Sequence, residues 1–441
     1  MEKTKKPMKK RTRVFLKILA AFFIVLAAFI LVTTVISVIG IKSNINMAHS
    51  FSEVGSRQLS LENYDNGCWN IKSDNGIKVV QLTDVHIGGG WMSIKKDSLA
   101  INTVASMVTA EKPDLVIVTG DISYPVPFQS GTFNNKSAAK IFAELMESLG
   151  VYWTLGYGNH DTEAYSYYSR EQLTEFYSSG KYPHCLLQGG PEDVDGEGNQ
   201  VLNIVNSDGI ITRSMIIVDS HSYTDGDYFG IKWKYDNIHD NQIEWYRSVL
   251  TFIKDSNITA ISDLSAEKST EYSTLKENVP TSVFFHIPME EYKNAWKEYS
   301  SNDYQDTENV KYTYGGVGEA NEAVFCPVRS DDFFETLLSE KSTDTAFCGH
   351  DHFNNFSLNY KGINLTYGMS VDYLAYMGIM RLGTQRGCTV INYDAKGNIS
   401  FHSENYYQDK YFSNYPKEDV TMQKLEDSGG DVLIPGMPEE D

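Results

Sequence analysis

The chain has 441 residues, 41% of them hydrophobic, and a formal net charge of −20, which suits one large domain with appendages. The first 17 residues carry eight Lys or Arg against one Glu, so the remainder sums to −27; such a body repels phosphate backbones and has no basic stripe to track a strand, and no nucleic-acid binding is expected. Five cysteines (Cys68, Cys185, Cys326, Cys348, Cys388) without CxxC spacing argue against a disulfide framework and a structural zinc site.

Residues 1–17 read as a cytoplasmic basic segment and residues 18–41 as a transmembrane anchor. The latter holds 24 residues without a charge, and about 20 suffice to cross the hydrocarbon core. A cleaved secretory signal would carry a shorter apolar run and a small-x-small site, which Val38-Ile39-Gly40-Ile41-Lys42 does not offer. Lys3, Lys5, Lys6, Lys9, Lys10, Arg11, Arg13 and Lys17 all precede the helix, and the positive-inside bias keeps them in the cytoplasm. The chain is therefore expected to be single-pass, with everything after residue 42 extracytoplasmic.

Residues 42–73 are mixed and polar and read as a stalk and lead-in. A globular body follows over 74–405. Short β-branched runs alternate there with longer helical patterns, which argues for an α/β fold built of βαβ units. Strands are expected over 77–82, 115–119, 151–155, 214–219, 282–286, 345–348, 364–367, 388–393 and 399–402, and helices over 98–110, 137–149, 240–254 and 331–340. Residues 191–200 read as an inserted hairpin tip and 255–278 as a polar excursion. Residues 406–441 turn acidic and read as a tail.

The informative feature is the residue type at the strand ends. The first strand runs into Asp84-Val85-His86, the second into Gly120-Asp121, and the third into Gly158-Asn159-His160-Asp161; later strands deliver His286 and Gly349-His350-Asp351-His352. Open α/β sheets place their sites on this rim. One such residue alone is usually structural: an Asp after a strand is commonly a helix cap, and a strand-end His is commonly satisfied by its own fold. Together, however, carboxylate, amide oxygen and imidazole without thiolate form the donor set preferred by Mn, Fe and Zn. Seven donors exceed one ion's needs and suit two ions about 3.5–4 Å apart.

The order D-x-H, G-D, G-N-H-D, H, G-H-x-H resembles the calcineurin-like metallophosphoesterase superfamily over about residues 77–403. Phe284-Phe285-His286-Ile287-Pro288, Gln242-Ile243-Glu244-Trp245-Tyr246 and Gly349-His350-Asp351-His352-Phe353-Asn354 are similar to its purple-acid-phosphatase-like branch. The resemblance implies a two-sheet α/β/β/α sandwich as the catalytic domain and two divalent or mixed-valence metal ions (Mn, Fe or Zn). One ion would be bound by Asp84, His86 and His352, the other by Asn159, His286 and His350, with Asp121 bridging. It further implies hydrolysis of a small phosphorylated substrate by a hydroxide between the ions, with His160 protonating the leaving oxygen or stabilising charge on the phosphoryl group, and Asp161 orienting it. Purple acid phosphatases proper use a Tyr ligand in G-D-x-x-Y and lack the His of D-x-H. Gly120-Asp121-Ile122-Ser123-Tyr124 matches that spacing while His86 is present, and His86 is the expected ligand. Gly88-Gly89-Gly90 lacks the Lys and Ser or Thr of a nucleotide loop and reads as a flexible turn beside the metals.

A phosphomonoesterase is the leading expectation. A phosphodiesterase acting on nucleotide- or lipid-type diesters is the alternative, and a catalytically silent metal-binding surface protein is the rival from another class. Trp91, His221 and Tyr223 are candidates to line the cleft.

Overall fold

The computed structural model describes residues 9–224, 226–227, 229–376 and 386–413. In chain order the strands are β1 (Ser60–Asp65), β2 (Cys68–Lys72), β3 (Ile77–Leu82), β4 (Leu115–Thr119), β5 (Tyr152–Gly156), β6 (Gln200–Val205) and β7 (Ile211–Ile217). They continue with β8 (Thr281–Phe284), β9 (Val310–Tyr314), β10 (Thr343–Cys348), β11 (Ser357–Tyr360), β12 (Ile363–Tyr367), β13 (Gly387–Tyr393) and β14 (Ile399–Asn405). The helices are α1 (Lys10–Ala48), α2 (Ile94–Glu111), α3 (Pro127–Ser130), α4 (Asn135–Leu149), α5 (Arg170–Tyr177), α6 (Asp240–Ser262), α7 (Ala266–Glu271), α8 (Ser273–Glu277), α9 (Glu290–Ser301) and α10 (Phe333–Glu340).

Two mixed sheets pack face to face. One has nine strands in the order β1-β2-β6-β7-β8-β10-β12-β11-β9, the other five in the order β14-β13-β3-β4-β5. Side-chain alternation along a strand explains the layering. In β3, Ile77 and Val79 point into the core between the sheets with Leu115 and Ile117 of β4, Met215 and Ile217 of β7, and Phe347 of β10. Val80, Leu82, Val116 and Val118 point the other way, onto α2 and α4. Ile216, Ala346 and Cys348 do the same toward α6, α9 and α10. Strands buried on both faces read as continuous apolar runs, and the result is the expected α/β/β/α sandwich.

The expected stalk over 42–73 is instead part of the body. Helix α1 runs on to Ala48, which is fully buried against α2 and α4, with Ile41, Ile45 and Met47 partly buried beside it. β1 and β2 then form the edge of the larger sheet, with β2 parallel to β6 from Cys68↔Val201 to Lys72↔Val205. The turn residues around Asn66 and Gly67 punctuate a hairpin, and Leu59 and Ile71 enter the inter-sheet core. The excursion expected over 255–278 is helical: α6 extends to Ser262 because Asn257 and Ile261 are buried, and α7 and α8 follow. Packing also passes residue 405. Tyr406, Tyr407 and Tyr411 are buried, and the Tyr411 hydroxyl donates to Glu111 at 2.7 Å. The rest of the expected tail, 414–441, lies outside the described residues. Among the described residues α1 is the one helix long and apolar enough to cross a membrane, and all five cysteines are free.

Candidate metal centre

Parallel alignment of β3, β4 and β5, and of β7, β8, β10 and β12, brings the C-terminal ends of the central strands to one rim. The turns leaving them are laced by backbone hydrogen bonds: Asp84 N–H to Gly120 O at 3.1 Å, His86 N–H to Asp121 O at 3.0 Å, and Gly349 N–H to His286 O at 3.1 Å. Asp84, His86, Asp121 and His350 all sit at positive φ, between 50° and 78°, a conformation non-glycine residues adopt at a cost and chiefly where the surroundings enforce it. Glycines let the turns close. A Cβ on Gly120, at φ +86°, would lie 2.5 Å from His286 Nδ1, and one on Gly158 would lie 2.1 Å from Asp121 Oδ1.

All seven donors expected from the sequence converge here. Asp84, His86 and His352 present ligand atoms within 4.8 Å of one another, as do Asp84, Asp121 and His286. Asp121 Oδ2 lies 3.2 Å from His86 Nε2 and 3.1 Å from His286 Nε2. His286 Nε2 also lies 3.1 Å from Asn159 Oδ1 and 3.3 Å from His350 Nδ1. On the other side, Asp84 Oδ1 is 3.4 Å from His352 Nε2 and 4.0 Å from His86 Nε2. Every one of these residues is buried or nearly so.

The chemistry of the cluster fits two metal ions. Among the described residues the ion partners of Asp84, Asp121 and Asp372 are histidines, so their neutralising charge is a set of exchangeable imidazole protons that a cation can replace. Burial opposes ionisation of Asp121, yet His286 and His160 outweigh it and hold the carboxyl well below its ordinary range. Burial likewise opposes charge on His286, and Asp121 prevails, raising it to about 9. His350, facing His286 rather than a carboxylate, is pushed down by burial and by that neighbour. Buried Asp84 Oδ1, aimed into the cluster, has no hydrogen-bond partner, the state of a ligand atom reserved for an ion.

Outer contacts fix the inward donors, as metal-ligating histidines require. His286 Nδ1 lies 2.8 Å from Thr119 O, which leaves Nε2 facing the cluster. Tyr223, a sequence candidate for the cleft, accepts from Asn159 Nδ2 at 3.0 Å and so turns the amide oxygen inward. Asp372, absent from the sequence reading, lies 3.1 Å from His352 Nδ1 and 3.4 Å from His86 Nδ1. Against burial, His86 and His352 hold it well below the usual carboxylate range.

Asp161 is not beside the His160 ring. Its carboxylate accepts from the backbone N–H groups of Asp121, Ser123 and Gly158 at 2.8–2.9 Å, pinning the turns, while burial and the charge of Asp121 raise it to about 6. The His160 partner is Glu163, with Nδ1 and Oε1 2.6 Å apart. Tyr124 stacks on His86 with ring centroids 4.7 Å apart and donates its hydroxyl to Gln129 at 2.7 Å, which leaves His86 as the inward donor. His221 faces Gln242, away from the cluster. The expected flexible turn is tied down, since the N–H groups of Gly88 and Gly89 both donate to buried Asp97.

A family model described as calcineurin-like phosphoesterase matches residues 77–354. The chain is 28% identical over 367 residues to "Probable inactive purple acid phosphatase 14" of Arabidopsis thaliana, covering 78% of this chain and 80% of that one. It is 29% identical over 331 residues to "Phosphatase DCR2" of Saccharomyces cerevisiae, covering 70% of this chain and 49% of the yeast protein. Among solved structures, a dimetal phosphatase from Danio rerio aligns with a TM-score of 0.43 at 11% identity, covering 75% of this chain and 99% of that one. The match of the family model across more than half of the chain, on the segment that carries the seven converging donors, places this protein in the calcineurin-like phosphoesterase family.

Proposed function

We propose that this chain is a metal-dependent phosphomonoesterase anchored in a membrane by α1, with its body outside the cytoplasm. The observation that carries the catalytic reading is the place of the Asp121 carboxylate between two sets of donors, 3.2 Å from His86 on one side and 3.1 Å from His286 on the other. Asp84, His86 and His352 would hold one ion and Asn159, His286 and His350 the other, with Asp121 shared; the donors suit Mn, Fe or Zn. Bound there, the ions would supply charge neutralisation to a phosphoryl group and lower the pKa of water toward about 7.

His160 supplies what the ions do not. Its backbone N–H donates to Asp121 Oδ1 at 2.8 Å, which seats the ring 5.4 Å from that of His86. With Nδ1 held by Glu163, Nε2 is free to give a proton to the departing ester oxygen. The anchoring reading rests on α1, whose large apolar residues are exposed from Val14 to Ile39, and on the basic residues at its start, which favour a cytoplasmic N-terminus.

Three Arabidopsis relatives carry "inactive" in their names, so turnover is what the test must measure. The full chain in detergent, loaded with Mn, Zn or Fe, is assayed on phosphate monoesters, diesters and nucleotides. Metal-dependent phosphate release from monoesters supports the proposal; release from diesters alone would reassign the substrate class, and metal binding without release from any ester would refute the enzymatic reading.

A further inference from the structure

Between the end of β7 and the start of α6 the chain folds a closed loop beside the Asn159 and His350 donors. Ser220, just before it, accepts from the N–H groups of His286 and Ile287 at 3.2 and 2.9 Å, so the loop starts at the turn that carries a third donor. Asp236 N–H donates to Ser222 O at 3.1 Å and Thr224 N–H to Lys234 O at 2.9 Å. The Asp227 carboxylate accepts from the N–H groups of Lys232 and Lys234 at 3.0–3.1 Å. At the base of the loop Tyr223 and Tyr235 stack with ring centroids 5.6 Å apart, and Tyr235 meets the His350 ring edge-on at 4.3 Å. Gly230 closes on the Tyr223 ring so tightly that a Cβ there would lie 2.4 Å from Cζ and 2.6 Å from the hydroxyl oxygen. Packing on these sides fixes the phenol in one place.

A phenol hydroxyl has one proton to donate and two lone pairs with which to accept, whereas an amide nitrogen only donates. In its 3.0 Å contact with Asn159 Nδ2 the Tyr223 oxygen is therefore the acceptor, and its own proton has no acceptor among the described residues. Tyr124, stacked on His86, differs in that its proton goes to Gln129 at 2.7 Å. Burial raises the Tyr223 phenol above the usual tyrosine range, and Glu163, Tyr235 and Asp121 add to this. The group is thus a neutral donor within the field of the shared carboxylate and of the partner that holds His160.

Resting on the phosphoesterase reading above, we infer that Tyr223 touches the substrate: its hydroxyl donates a hydrogen bond to a non-bridging oxygen of a phosphoryl group seated beside Asn159. A donor fixed in advance where negative charge gathers stabilises the transition state without reorganising, and a hydrogen bond to a charged oxygen is stronger than one between neutral groups. Tyr223 keeps its proton throughout, and the proton that reaches the departing ester oxygen comes from His160. This role is separate from orienting the Asn159 amide, which bears on metal binding alone.

The test compares the full chain in detergent, wild type and Tyr223→Phe, at saturating Mn. Three quantities are read: metal stoichiometry, the affinity for inorganic phosphate by titration calorimetry, and the rate of phosphate release from a monoester. Removing one oxygen leaves the ring stack in place, so the variant should load as much metal as the wild type. Its affinity for phosphate should fall about tenfold and its kcat about 10–100-fold, the usual range for a hydrogen bond to a charged group. Phosphate affinity and kcat equal to wild type once metal is saturating would overturn the substrate contact and leave Tyr223 as a support for Asn159. A variant that fails to load metal even in excess would overturn it likewise. A wild type that loads metal and binds phosphate but hydrolyses no ester would refute the enzymatic reading, and the phosphate affinities would still decide whether Tyr223 is the donor. A wild type that loads metal and binds no phosphate would overturn the inference.

Discussion

His160 Nδ1 lies 2.6 Å from Glu163 Oε1, whereas the adjacent Asp161 spends its carboxylate on three backbone N–H groups. His160→Ala should therefore keep both metals and lose about 10²–10⁴ in rate, the usual share of general acid–base catalysis. Glu163→Gln should keep the ring's position but weaken the contact that orients it, costing about tenfold in rate at unchanged metal content. Metal content and rate are measured together. A Glu163→Gln rate identical to wild type would remove Glu163 from the mechanism.

Asp161→Asn should behave differently. An amide keeps one acceptor where three N–H groups converge, so the turns bearing Asp121 and Ser123 loosen, and a lost hydrogen bond in this setting costs about 1–3 kcal/mol. The expected readout is a lower unfolding midpoint and weaker metal binding. Unchanged stability with normal metal affinity would contradict the pinning role.

Asp372→Asn tests the outer contact to His352 and His86. Loss of such a partner typically costs 10–100-fold in metal affinity or activity, and excess metal should restore much of the rate by mass action. The measurement is a metal titration of rate. A rate that stays low at saturating metal would mean that Asp372 acts on more than ligand orientation.

His239 gives a pH dependence remote from the metals. Its ring lies between Asp236 and Asp195 and stacks on His221, and the hydrogen bond it donates to Asp236, with that to Asp195, raises it to about 9 against partial burial. A histidine raised on folding stabilises fully below its unfolded value of about 6.5 and loses that contribution as pH rises through the folded value. The stability gap between wild type and His239→Gln should thus be largest near pH 6 and shrink by pH 10. A gap that grows with pH would reverse the assignment.

The donor set was legible because it is local. Asp84, His86, Asp121, Asn159, His286, His350 and His352 each follow an apolar run, and parallel strands carry the ends of such runs to one rim. The expected strands over 77–82 and 115–119 match β3 and β4 residue for residue. What escaped the sequence were partnerships made across the fold. Asp372 lies in a turn after β12 and contacts His86 from 286 positions away; nothing in its neighbours marks it. Glu163 was hidden by the nearer Asp161. The first two strands were read as a stalk because Leu61, Trp69 and Ile71 are spaced among polar residues, the pattern of an edge hairpin with only one face in the core.

The central claim is that two ions share Asp121 and that phosphate-ester hydrolysis depends on them. Metal stoichiometry and phosphate release, measured on the same samples of the full chain, test it most directly in wild type, Asp121→Asn and Asp84→Asn. The expected result is two ions per chain and turnover in the wild type, loss of turnover at every metal concentration in Asp121→Asn, and partial rescue of Asp84→Asn by excess Mn, Zn or Fe. Two ions with normal turnover in Asp121→Asn, beside an Asp84→Asn chain that no metal rescues, would contradict the shared carboxylate and the two-ion centre built on it.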